Sequence, residues 1–225
     1  MTPEILVLYY SQRGSVRALA EHIATGVARG GALARVRTVP KVSTVCEAVE
    51  DDIPADGPPY AEPADFAECA GVLLGSPTRF GNMAAAMKYF LDGLTTSWVN
   101  GSLEGKPAGV FTSSSSPHGG QESTLLTMML PLLHHGALIV GLPYSLADLT
   151  TTDGGGSPYG AGHVAGGEGT RPPSAAEIRL AEALGERVAR PGTLVGAARL
   201  DVHVLMLRST VGGEELAAHV DDGSA

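Results

Sequence analysis

The sequence predicts an α/β fold, a parallel sheet wound on both faces by helices. Three observations carry that expectation. Apolar runs of strand length alternate with stretches of helical period along most of the chain. The first of these runs is continuously apolar, as in a strand buried on both faces, and the loops after three of the runs are rich in Ser, Gly and Pro.

Taken in order, Ile5 to Tyr10 is the first strand, and Val16, Leu19, Ala20, Ile23 and Val27 behind it fall on one face of an amphipathic helix. The pair Gly30 and Gly31 ends that helix, and Ala34 to Thr38 is a weaker second strand. Val42 to Pro63 is polar, rich in proline and without a period, which marks a long surface excursion. The run "GVLLGS" from Gly71 is the third strand, after which Ala84, Met87, Phe90, Leu91 and Leu94 share a helical face. The fourth strand, "PAGVFTS" from Pro107, leads to a helix over Gln121 to Gly136, in which Pro131 should impose a kink or an early stop. The fifth is "ALIVGL", from Ala137. After an excursion from 143 to 173, Ser174 and Glu177 have capping-box spacing ahead of a final helix through "AAEIRLAEALGERVAR".

Right-handed crossovers put helices on both sides of such a sheet, and five strands favour the order 2-1-3-4-5. In that geometry ligands bind outside the carboxyl ends of the strands, where the strand order reverses.

Composition narrows the class of function. A chain of 225 residues, 44% hydrophobic, suffices for one core and is short for two domains. One domain over residues 1–191 is expected, with an extension over 192–225 of unknown structure. A net charge of -9 would repel the phosphates of a nucleic acid and fits an enzyme or carrier for small molecules. No run approaches the roughly eighteen apolar residues of a membrane span, and no basic leader precedes the first strand, so a cytoplasmic location is expected. Cys46 and Cys69 lack a CxxC or His-rich setting and read as reduced thiols, with no metal site.

Three loops stand at the carboxyl ends of the strands. In the first, "SQRGSV" (Ser11, Gln12, Arg13, Gly14, Ser15, Val16), two hydroxyls and a tight glycine turn open the first helix. The positive helix end and its unpaired N–H groups suit a single phosphate; an ordinary N-cap by Ser15 is the plainer reading. Neither GK[ST] nor GxGxxG is present, which excludes the usual nucleoside triphosphate and dinucleotide loops. In the second, "SPTRFGN", Pro77 and Thr78 fix an extended turn, and Arg79, Phe80, Gly81 and Asn82 supply a cation, an aromatic face and an amide, a set able to frame a planar heterocycle. The plainer reading makes Phe80 core and Arg79 a surface charge. The third holds Ser113, Ser114, Ser115, Ser116, Pro117, His118 and Gly119, whose hydroxyls and backbone donors suit a polar ring edge or form a simple linker.

The segments "LVLYYS", "GSPTRFGNM", "HGGQEST", "HHG", "GLPY" and "GSPYGAGHVAGGEGTRPPS" resemble the tryptophan-repressor-binding-protein (WrbA) family of flavodoxin-like NAD(P)H:quinone oxidoreductases, over roughly residues 3 to 190. The resemblance implies a flavodoxin-like fold that binds FMN non-covalently, with NADH or NADPH as reductant, a quinone as acceptor, two-electron ping-pong turnover and a homotetramer with sites near subunit junctions. It implies that Ser11 to Val16 hold the FMN phosphate, that Thr78, Arg79 and Phe80 lie against the isoalloxazine, and that Ser113 to Gly119 border its polar edge. His134 matches an FMN-contacting position and Trp98 a residue of the quinone pocket, and Tyr144 is a further candidate for its wall. By residue type alone, the pair His134 and His135 reads more simply as a helix end and Trp98 as core. Arg79 is the expected stabiliser of negative charge on the reduced flavin, and His134 a source of protons.

Two departures bear on the nicotinamide. Arg13 stands where many members have Tyr, and Ser15 where His is common, so Arg13 is placed to pair with a nucleotide phosphate. A flavodoxin-type electron carrier and a flavin-dependent reductase of azo or nitro compounds are the alternative functions. The 143 to 173 excursion favours an enclosed substrate pocket over the open flavin edge of a carrier.

Overall fold

The computed structural model describes residues 2–42 and 54–191; Cys46, most of the first half of the Val42 to Pro63 excursion and the extension from 192 lie outside them. The continuous apolar run forms β1 (Glu4–Tyr9), and its pleat sends alternate residues to opposite faces. Leu6 and Leu8 enter one core, while Ile5, Val7 and Tyr9 enter the other. Burial on both faces is why the run has no polar member.

Helix α1 (Ser15–Arg29) buries Val16, Leu19, Ala20, Ile23 and Val27, the stripe its period predicts. It packs beside the final helix, α7 (residues 175–191), whose Leu180, Ala181, Leu184 and Val188 share the same core. The two backbones approach closely through glycines. A Cβ at Gly26 would lie 1.8 Å from the Glu182 carbonyl oxygen, and one at Gly185 would lie 2.1 Å from that of Ile23.

The sheet is parallel, in the order β2 (Leu33–Thr38), β1, β3 (Gly71–Pro77), β4 (Pro107–Ser114), β5 (Leu138–Ile139). This is the expected 2-1-3-4-5 arrangement. The edge strand β2 carries Arg35 and Arg37, which pair with Asp65 and, for Arg35, also with Glu4 and Glu68; an edge so charged resists pairing with another chain. On the face opposite α1 lie α2 (Pro63–Glu68), α3 (Ala85–Asp92), α4 (Thr95–Val99) and α5 (Gln121–His134), with Phe66, Met87, Leu91, Leu94, Leu125, Met128 and Leu132 in their core. Among the described residues, no helix is long and apolar enough to cross a membrane.

The structure departs from the expectations in three places. The fifth strand is split: β5 has two residues and pairs with Pro107 and Ala108 at the start of β4, whereas a sixth strand, β6 (Ala161–Val164), pairs in parallel with Phe111 to Ser114 at its end. Pro143 has no N–H to extend a ladder, and Gly141 sits where a Cβ would lie 2.3 Å from the Pro158 carbonyl oxygen, so the chain leaves the edge there. The excursion that follows carries α6 (Asp148–Thr151) before β6 returns. Second, α5 continues past Pro131 to His134, because a proline in the last turn forfeits little of the ladder; Gly136, at φ 80°, then closes the end. Third, α2, an element not expected, begins at Pro63, the last residue of the excursion, capped by Glu62 and Asp65.

Candidate functional site

A cleft of about 320 Å³ opens at the carboxyl ends of β1, β3 and β4, at the reversal of strand order. The first loop supplies Ser11, Gln12, Arg13, Ser15 and Val16, the second Pro77, Thr78 and Arg79, and the third Ser113, Ser114 and Ser115. Among the described residues no carboxylate lines it, and two arginines do. In a chain of net charge -9, this is a local reversal of sign that suits an anion.

The first loop is built as an anion seat. Gly14 precedes α1 in the left-handed region, at φ 88°, and no side chain caps the helix. Its N–H donates to Ser11 Oγ at 3.1 Å, which folds the turn back on itself. The N–H groups of the first turn have no partner within the helix and face the same end as the Ser11 and Ser15 hydroxyls. The reading in which Ser15 is the N-cap does not hold: Ser15 is the first residue of the helix, and Gly14 occupies the cap.

In the second loop, Arg79 and Asn82 exchange backbone hydrogen bonds at 2.7 and 3.0 Å around Phe80 and Gly81, both of positive φ, 53° and 77°. This is a tight hairpin turn of the primed kind, and Gly81 makes it inexpensive while Phe80 bears strain. Phe80, next to the cleft-lining Arg79 but not itself a lining residue, is wholly exposed, so it is not core. Arg79 donates to the Thr78 carbonyl at 2.8 Å and to Gln12 Oε1, a bridge between the first and second loops. Its guanidinium is thereby held across the cleft mouth.

In the third loop, Ser113 and Ser114 are buried at the end of β4, whereas Ser116, Pro117, His118 and Gly119 are exposed beyond the lining residues. Gln121 braces the base: its Nε2 donates to Ser114 Oγ and to the His163 carbonyl, both at 2.8 Å. Its Oε1 is buried without a partner.

A second cavity, of about 340 Å³, lies among α3, α4 and the end of α5 and is lined by Trp98, His134 and His135 with Lys88 and Asp92. The Trp98 indole donates to the His134 carbonyl at 2.8 Å, and Trp98 is half exposed rather than core. Burial, reinforced by the neighbouring His134, holds the His135 imidazole below its ordinary value. The two cavities share no residue, so within one chain Trp98 and His134 do not meet the cleft. Tyr144 is exposed and lines neither.

Sequence reasoning missed one wall of the cleft. Ala165, Gly167 and Gly169 line it from the segment after β6, and Arg13 Nη1 donates to the Glu168 carbonyl at 3.2 Å. The signal that anchors this wall was present as the Ser174 and Glu177 capping box, which forms with bonds of 2.7 and 3.3 Å.

A parallel sheet of order 2-1-3-4-5 with an uncapped helix facing a cationic, hydroxyl-lined cleft defines a flavodoxin-like fold whose cleft suits an anion. The profile of the NADPH-dependent FMN reductase family matches residues 3–151, and the chain belongs to that family. It is 46% identical over 194 residues to a protein of Geobacter sulfurreducens named NAD(P)H dehydrogenase (quinone), which covers 83% of this chain and 96% of the relative. A protein of the same name from Cupriavidus metallidurans is 44% identical over 190 residues, with coverage of 83% and 96%. Among solved structures, a WrbA-like flavodoxin from Agrobacterium tumefaciens superimposes with a TM-score of 0.59 at 22% identity, covering 85% of this chain and 98% of that one. Oxidised flavodoxin 1 from Bacillus cereus does so with a TM-score of 0.53 at 16% identity, covering 83% and 97%. These two likenesses concern the fold.

Proposed function

We propose that the chain is an FMN-dependent NAD(P)H:quinone oxidoreductase. The observation that carries this reading is the acid-free cleft whose floor is an uncapped helix N-terminus: its donors and cations match a phosphate monoester attached to a polar ring system. The residues present therefore fit FMN. When bound, FMN supplies the redox chemistry, accepting two electrons from a reduced nicotinamide and passing them to a quinone.

The chain's own residues bind, orient and neutralise. Ser11, Ser15 and the first-turn N–H groups of α1 hold the phosphate. Thr78, Arg79 and the exposed Phe80 border the ring, with Ser113 to Ser115 at its polar edge and Ser116 to Gly119 on the rim. Arg79, fixed by Gln12 and the Thr78 carbonyl, presents a positive charge where negative charge develops. Arg13, at the mouth beside the 165–169 wall, faces the phosphates of an incoming nicotinamide nucleotide. Trp98 and Tyr144 serve the quinone, and His134 contacts the flavin and supplies protons, from a neighbouring copy in a homotetramer, a reading supported by their separation from the cleft within one chain. A cytoplasmic location fits a dehydrogenase that draws on soluble NADH or NADPH.

The deciding experiment is anaerobic titration of FMN-loaded protein with NADH and NADPH, followed by benzoquinone. Loss of the flavin absorbance with one nucleotide and its prompt return with the quinone is the expected result. Bound FMN that neither nucleotide bleaches would favour the electron-carrier alternative.

A further inference from the structure

Behind the 165–169 wall, a histidine and a glutamate outside the flavin-contacting set are fully buried together. His163 of β6 places Nδ1 3.0 Å from Glu177 Oε2 and Nε2 2.9 Å from the Arg171 carbonyl oxygen. Both ring nitrogens face oxygens, a carboxylate on one side and a backbone carbonyl on the other, an arrangement that two N–H donors would satisfy. Glu177 is the acidic partner. Its carboxylate also accepts the N–H groups of Gly155 at 2.8 Å, Val164 at 2.9 Å and Ser174 at 2.7 Å. A capping box alone needs only the Ser174 bond; the other three contacts tie two further pieces of chain, Gly155 and the end of β6, to the same side chain.

The piece that matters for the cleft is 165–171. Its start is fixed by the Ala165 N–H donating to the Ser114 carbonyl at 2.8 Å, and its end closes back through the Arg171 N–H to the Ala165 carbonyl at 3.1 Å. The His163 ring holds the Arg171 carbonyl from beneath. Between those points Ala165, Gly167 and Gly169 face the cleft, and the Glu168 carbonyl meets Arg13 of the phosphate loop. The segment is glycine-rich, with Gly166 and Gly169 at φ 78° and 70°, and a turn bond from the Gly169 N–H to the Gly166 carbonyl at 3.0 Å closes its middle.

We propose that His163 and Glu177 form a buried ion-paired latch that holds the 165–171 segment against the phosphate loop and thereby slows the escape of FMN. The inference rests on the flavin reading for its consequence, and on the chain alone for its mechanism. His163 and Glu177 are positioning residues: neither lines the cleft, and both act through the wall.

Three measurements on the full chain test it. Nitrogen-15 spectra of the histidine rings in apoprotein at neutral pH should show both His163 nitrogens protonated; a neutral ring overturns the latch without any variant. Hydrogen exchange of apoprotein should show the Ala165, Gly169 and Arg171 amides opening about tenfold faster or more in His163→Gln and in Glu177→Gln, the factor expected for one lost charge-assisted hydrogen bond, with the β1 and β3 amides unchanged. FMN release, followed by recovery of flavin fluorescence, should accelerate by a similar factor in both variants. Unchanged exchange at 165–171, or opening spread evenly over the sheet, overturns the latch. If the wild-type chain fails to retain FMN, the flavin reading falls and the proposed effect on escape falls with it, while the spectra and exchange decide the latch itself.

Discussion

The Thr124 hydroxyl donates to the Thr78 hydroxyl at 2.8 Å, joining the first turn of α5 to the loop that follows β3. Thr124 is fully buried, whereas Thr78 lines the cleft, so the bond carries the rigidity of the core to the site. Thr124→Val keeps the shape and removes the donor. It should cost about 1 kcal/mol in urea unfolding and weaken FMN binding several-fold by loosening Thr78. Unaltered affinity would show that Thr78 needs no brace.

The phosphate seat predicts a selective loss. Ser11→Ala with Ser15→Ala should weaken FMN about tenfold or more, the scale of lost hydrogen bonds to a charged group, and leave riboflavin affinity unchanged. Fluorescence titration with both flavins checks it. An equal loss for both would move the phosphate elsewhere.

Arg79→Ala should slow turnover by about tenfold or more, because a fixed cation near developing charge stabilises it. Stopped-flow absorbance resolves the two half-reactions; wild-type rates in both would remove Arg79 from the catalytic set. Arg79→Lys tests the fork geometry, since an ammonium cannot hold Gln12 and the Thr78 carbonyl in the same plane.

Acid stability follows from Glu177. Burial pushes its carboxyl upward, but the His163 ring and the N–H groups of Ser174, Val164 and Gly155 outweigh burial and bring it down to about 2 from 4.5. The folded value is depressed, so the stabilisation is complete above 4.5 and is lost as pH falls from there toward 2. Glu177→Gln should be less stable than wild type at neutral pH, and the gap should narrow over that window. Thermal unfolding of both proteins from pH 7 to pH 2 measures it.

Much of this fold is legible because its signals are local. The unbroken apolar run of β1 and the stripe of α1 follow from periodicity, and the three cleft loops follow from being the turns after β1, β3 and β4. What escaped is set by partners distant in sequence. The four residues of β6 carry no strand pattern of their own; Gly162 and His163 become a strand because Thr112 and Ser113 lie beside them. Helix α2 has six residues and an acidic cap in place of Ser or Thr, too short to register as a period. Phe80 is exposed because the turn it occupies aims it outward, a matter of backbone handedness that residue type does not disclose.

The split edge of β4 also orders the molecule's history. Two strands taken from either side of a long excursion must dock on one neighbour, the first near Pro107 and the second near Ser114. Docking β6 closes a longer loop than docking β5 on the same strand, and it also waits for Glu177 to arrive on α7. During synthesis, the amino-terminal sheet can collapse while residues beyond 160 are still inside the ribosome. A chain at that stage has its first loop but not the wall opposite, so the closed cleft belongs to the finished polypeptide rather than the nascent one.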